Sequence, residues 1–261
     1  MDPILLGFLG SLFAGLATVL GTIPLLFISS ISKKTEILSI GFSSGVMLAA
    51  SFFSLLVPGF EYASNYFECK LWSIFIVVFG FILGVCFIWW VDQWLTNNPI
   101  ELFDRNKTEN KANSLVKSLW LFIIAIAIHN FPEGMAVGVA LGQGDLQFGL
   151  PLAIGIGLQN IPEGLIVAIS VLALGYSRSK AFMIALFSGL VEPIGGLIGV
   201  LLIQLSNYLL PIGLGFAAGA MIFVIIHKMI PELQVKGYHN QSTMGCMIGM
   251  IIMMILDVMY S

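Results

Sequence analysis

Apolar residues run almost unbroken along this chain, and the polar positions fall in short clusters between the runs. A helix needs about 20 mostly apolar residues to cross a bilayer. Eight runs meet that length, near 4–31, 36–63, 71–95, 116–142, 148–175, 180–207, 211–234 and 243–260. The stretches between them, such as SKKTE, SNYFECK, NNPIELFDRNKTENKANS and VKGYHNQS, read as loops, and no separate soluble domain fits among them. The pattern predicts an all-α polytopic membrane protein: one transmembrane domain over 1–261, built as an eight-helix bundle. MDPILLGFLG lacks a positively charged n-region, so this segment is read as the start of span one and not as a cleaved signal peptide.

Composition agrees with the pattern. Hydrophobic residues make up 58% of the chain and charged ones 10%, against about a quarter charged in soluble domains. The net charge of -3 is small and argues neither for nor against a charged partner; the lack of a basic tail argues against nucleic acid. Cys69, Cys86 and Cys246 are far apart and form neither a CxxC pair nor a disulfide framework. The basic residues set an orientation. Odd-numbered loops and their flanks carry Lys33, Lys34, Arg105, Lys107, Lys111, Lys117, Arg178, Lys180, Lys228 and Lys236, whereas the even ones carry only Lys70. Lys and Arg favour the cytoplasmic side. Both termini are therefore expected outside, in a multi-pass plasma membrane protein of the prokaryotic inner-membrane type.

Within the spans, most polar residues are inexpensive. Ser43, Ser44, Ser51, Ser54, Thr18 and Thr22 can bond their own helix or let helices approach closely. Carboxylates are costly at membrane depth and mark function. Glu133, Glu163 and Glu192 each fall near the middle of a span, on three consecutive helices. His129 stands four residues before Glu133 and Gln159 four before Glu163, so each pair shares a helix face. Asn130 and Asn160 lie beside them. One imidazole with oxygen donors suits a divalent ion such as Zn²⁺, Mn²⁺ or Fe²⁺. Seven candidate ligands exceed the roughly four of a tetrahedral zinc site, enough for two ions sharing carboxylates.

The two clusters are nearly the same phrase, HNFPEG at 129–134 and QNIPEG at 159–164. Pro132 cannot donate to the carbonyl of Ile128, nor Pro162 to that of Leu158. Interrupted helices at mid-membrane are a pointer to a transporter site, so both helices are expected to be broken there. The copies lie on successive, antiparallel spans and form a short inverted repeat.

HNFPEGMAVGVALG followed by GIGLQNIPEGLIVA resembles the ZIP family of divalent metal transporters, in particular its GufA-type branch. GFSSGVMLAASFFSLLVPGFEYA and SGLVEPIGGLIGV resemble the second and sixth helices of that branch, and the likeness covers essentially the whole chain. The resemblance implies an eight-helix bundle, usually a homodimer, that moves metal inward as one helix group slides against another. It implies that His129, Asn130, Glu133, Gln159, Asn160, Glu163 and Glu192 line a midplane binuclear centre bridged by Glu133 and Glu163. Zn²⁺ is the expected transported ion, with Cd²⁺, Fe²⁺ and Mn²⁺ as possible companions. Met47, Ala50 and Ser54 match the face lining the outer gate, and Glu61 stands at its outer end. With three acids near one another, metal binding is expected to release protons.

Two departures from the family pattern matter. Gln159 and Asn160 are neutral where relatives often carry His or Asp, which implies a weaker second ion. In IIHKMIPE, Lys228 replaces a customary Glu beside His227. Lys228 is expected either to pair with Asp92 on span three or to reach the cytoplasmic interface. No enzyme is expected. LGQGD at 141–145 matches a GxGD protease pattern, but the chain has no Tyr-Asp pair to supply a second catalytic aspartate, and Asp145 falls in a loop. A metal-selective channel using the same ligands is the alternative to a carrier.

Overall fold

The computed structural model describes residues 2–28, 31–97, 129–234 and 237–260, all of it helix and connecting turns with no strand among the described residues. Helix α1 (Pro3–Leu20) is capped by Asp2, whose carboxylate accepts from Ile4 N at 3.0 Å. α2 spans Lys33–Tyr66 and α3 Lys70–Asn97. α4 is described over 129–141. α5 (Leu146–Ala173) is followed by α6 over Arg178–Leu205, α7 over Asn207–Leu233 and α8 (His239–Tyr260). Seven helices among the described residues are long and apolar enough to cross a membrane. The expected fourth span begins at 116, and its stretch before 129 lies outside the described residues, as do loop 98–115 and the basic residues Arg105, Lys107, Lys111, Lys117 and Lys236.

Span one is shorter than its apolar run. The helix stops at Leu20, turns through Gly21–Ile23 and resumes only as the short Pro24–Phe27 segment. Gly21 lies against the backbone of α5 at Ile161 and Leu165, where no side chain would fit. Pro24 then starts a new turn, because its fixed φ suits the first helical position.

The proline expectation is corrected. α5 passes through Pro151 and Pro162 as one continuous helix, since one lost backbone hydrogen bond can be absorbed within a packed membrane helix. The irregular backbone lies elsewhere. α6 breaks at Leu190–Val191, immediately before Glu192-Pro193. α2 and α7 widen into π-helical turns at Ala50–Leu56 and Ile225–Met229. Each widened turn precedes a proline, Pro58 and Pro231, that cannot supply its backbone N–H.

Glycines divide the bundle into two groups. In the first, Gly15 and Gly189 join α1 to α6, Gly164 meets the backbone of Thr18, and Gly134 and Gly138 meet those of Glu192 and Gly196. In the second, Gly41 and Gly45 bring α2 onto α8, and Gly80 and Gly84 bring α3 onto α7. A methyl at any of these would collide with a neighbouring backbone. Between α1, α4, α5 and α6 on one side and α2, α3, α7 and α8 on the other, the glycines that face across meet side chains instead. Gly155 faces the Met253 and Val46 side chains, and Gly213 faces those of Val139 and Ile203.

The main core lies across this division and includes Met47, Ala50, Leu152, Ile156, Leu214 and Met221, all fully buried. Trp72 near one end of α3 and Trp89, Trp90 and Trp94 near the other are exposed. Trp72 and Trp90 are 18 residues apart in number, about 27 Å along the helix, which matches two interfacial aromatic belts.

Candidate metal centre

Three elements carry the buried acids: α4 brings Glu133, α5 brings Glu163, and the second segment of α6 opens with Glu192. Each is almost wholly inaccessible, with exposures of 0%, 5% and 0%. Glu133 lies close enough to feel the charges of Glu163 and Glu192 and faces the Gln159 amide. Glu192 likewise feels Glu163. The acids expected at one depth are therefore neighbours in space.

The two asparagines are held by their nitrogens. Asn130 Nδ2 donates to the Ser188 carbonyl at 3.1 Å. Asn160 Nδ2 donates to the Ala14 carbonyl at 2.8 Å and to Glu192 Oε1 at 2.6 Å. With their amide nitrogens anchored on neighbouring helices, both residues keep their oxygens for something else. Asn130 Oδ1, Asn160 Oδ1, both oxygens of Glu133, Glu192 Oε2 and the whole Gln159 amide are buried without a hydrogen-bond partner. Buried acceptors rarely go unsatisfied, because each forfeits its hydration. Six such oxygens, five of them from acids or from amides fixed through their nitrogens on another helix, make a cluster rich in acceptors and poor in donors.

No three His, Cys, Asp or Glu side chains among the described residues converge closely enough to hold one ion by themselves. The carboxylates are spread among amides. His129 is half-buried at the first described position of α4.

Some partners were hidden within the serine pattern. Ser44, Ser51 and Thr22 bond their own helix as expected, with hydroxyls on the carbonyls of Ile40, Met47 and Val19. Ser43 instead reaches from α2 to Glu163 Oε1 at 2.8 Å and to the Gln159 carbonyl at 3.3 Å. It is a bond between the two helix groups at the acid cluster. Ser54 donates to Asp257 Oδ1 on α8 at 2.7 Å. Serine in a membrane helix is too common for type alone to separate these roles. Nor does position single out Ser43, which stands ten residues into the 34-residue α2.

Met47 and Ala50, expected on an outer-gate face, are buried in the same core cluster as Leu152 and Ile156, and Ser54 is buried too. Glu61 is exposed near the end of α2. Asp145 caps α5 by accepting from Gln147 N at 2.9 Å and Phe148 N at 3.4 Å, so the GxGD-like segment has a structural explanation. At the other end of the bundle, Lys228 pairs with Asp92.

A model of the family described as "ZIP Zinc transporter" matches residues 104–257. The chain belongs to the ZIP family. This ZIP protein is 40% identical to zinc transporter GufA of Myxococcus xanthus over 251 residues, covering 96% of the chain and 97% of the relative. It is 39% identical to zinc transporter ZIPB of Bordetella bronchiseptica, covering 92% of the chain and 77% of the relative. Zinc transporter ZupT of Clostridium perfringens is 31% identical, with 97% and 95% covered. These relatives are named as transporters, not enzymes, in agreement with the expectation from the sequence. The ZIP protein is thus an all-α, multi-pass membrane protein of a transporter family.

Proposed function

We propose that this chain imports divalent metal, zinc foremost, through the buried acid and amide cluster. The observation that carries this reading is the set of unpartnered oxygens on Asn130, Glu133, Gln159, Asn160 and Glu192. A cation would satisfy them together, and three neighbouring carboxylates would supply the compensating charge. His129 would add an imidazole, giving a donor set suited to zinc. Glu133 and Glu163 would bridge two ions. The second ion would be held more weakly, because Asn160 brings no charge and spends an N–H on Glu192. The zinc-transporter names of the relatives support zinc as the cargo.

Alternating access fits the packing. Glycine–backbone contacts lock each helix group internally, whereas Gly155 and Gly213, facing across the division, meet only side chains among their nearest neighbours. The buried core at Met47, Ala50, Leu152 and Ile156 would close the outer path in this conformation. The termini would face out and the basic loops the cytoplasm, in the homodimer that the family resemblance implies.

Uptake into proteoliposomes tests the reading, with Cd²⁺, Fe²⁺ and Mn²⁺ as competitors. Glu133→Ala and Glu163→Ala are each expected to abolish zinc uptake; normal uptake by both would end the proposal. Saturation with counter-transport is the carrier result, and flux that rises linearly with concentration is the channel result.

A further inference from the structure

An apolar cleft opens where the two helix groups meet. It encloses about 310 Å³. Pro24 and Pro162 line it from the first group, and Leu38, Ser39, Phe42 and Ile248 from the second. Pro24, Leu38 and Ile248 are exposed, so the cleft opens outward from the bundle. All but Pro24 of these residues belong to membrane-spanning helices. The medium at the mouth is therefore hydrocarbon, and Ser39 is the one polar side chain in the wall.

Lys34 stands above this mouth. It precedes Leu38 by four residues and Phe42 by eight, so the three follow one ridge of α2. The ridge is about 12 Å long at 1.5 Å per residue. Lys34 is exposed. Its neighbour Lys33 is engaged by Glu36, whereas Lys34 forms no ion pair among the described residues. A cation at the helix end, with a greasy slot beginning one turn below it, matches a phosphate joined to a fatty chain.

We propose that this cleft binds one acyl chain of an anionic phospholipid whose phosphate pairs with Lys34. The chain lies against Leu38, Phe42 and Ile248 on one side and Pro24 and Pro162 on the other. It bridges both helix groups one residue from Glu163. Such a lipid acts as a wedge at the moving interface, a consequence that rests on the alternating-access reading. The binding itself does not rest on it.

Native mass spectrometry of the detergent-solubilised protein, titrated with phosphatidylglycerol or phosphatidylcholine, tests the proposal. One saturable phosphatidylglycerol site is expected, preferred over phosphatidylcholine by about fivefold, the worth of one basic residue near an anionic surface. Lys34→Gln should remove that preference, and Ser39→Trp should abolish the tight site by filling the slot. Leu38→Trp, at the exposed rim, serves if Ser39→Trp does not fold. Graded binding with no saturable first site overturns the proposal. So does a tight site that survives the tryptophan variants, or a preference that survives Lys34→Gln. A wild-type protein that binds this lipid but moves no zinc would sink the transport reading and leave the lipid site standing.

Discussion

Lys228 Nζ lies 2.6 Å from Asp92 Oδ1, and His227 Nε2 lies 3.2 Å from Asp92 Oδ2. One carboxylate on α3 thus holds two neighbouring side chains on the π-helical turn of α7. Of the two arrangements expected for Lys228, pairing is the one observed. Lys228 keeps 35% of its side-chain surface exposed, so the pair should contribute about 1 kcal/mol or less to stability. Its larger effect should be on position. Asp92→Lys and Lys228→Asp are each expected to lower the zinc uptake rate several-fold, and the double exchange to restore most of it. An exchange no better than the worse single variant would show that the pair has no such role.

Ser43 gives a second prediction. Its hydroxyl orients Glu163 from the opposite helix group. Losing a partner that orients a metal ligand typically costs 10–100-fold in affinity. Ser43→Ala is expected to weaken zinc binding about tenfold, read by titration calorimetry in detergent, while Ser43→Thr keeps most of the affinity. Equal affinity for wild type and alanine variant would mean that the bond does not serve the metal.

Asn160→Asp reverses one departure from the family pattern. The new carboxylate would face the Ala14 carbonyl and Glu192 where an N–H donor now stands. Two acceptors without a proton or cation between them repel each other. The variant should therefore unfold at a lower temperature than wild type without metal and gain more from added zinc. Thermal unfolding with chelator and with zinc measures both. A variant as stable as wild type in chelator would contradict this account.

The glycine division predicts an order of damage. Gly164→Ala would drive a methyl into the Thr18 carbonyl, and Gly134→Ala into that of Glu192. Each should cost about 3 kcal/mol or prevent folding, the upper end of overpacking effects. Gly155→Ala meets the end of the Met253 side chain, which can swing away. It should cost about 1 kcal/mol or less and alter uptake more than unfolding temperature. The opposite ranking would remove the distinction between the two kinds of contact.

The sequence carried much of this protein because a bilayer leaves few choices. Apolar length marked the spans, and the expense of buried charge marked Glu133, Glu163 and Glu192. What it hid was local backbone geometry. Pro162 looked like a break and is not one, whereas Pro58 and Pro231 stand after widened turns and the α6 break falls just before Pro193. Proline removes one donor wherever it sits; surrounding packing decides whether the helix bends, widens or carries on. The tasks of Ser43 and Ser54 were hidden for a similar reason, since a hydroxyl's partner depends on which helix lies opposite.

The division of glycine contacts also bears on how such a protein can change over generations. Substitutions at glycines such as Gly15, Gly45, Gly84 or Gly164 meet rigid backbone inside a group and are removed for failing to fold. Those at Gly155 or Gly213, which face across the division, meet side chains that can shift. Turnover and foldedness are thus written at different positions, and selection can adjust the first while leaving the second alone.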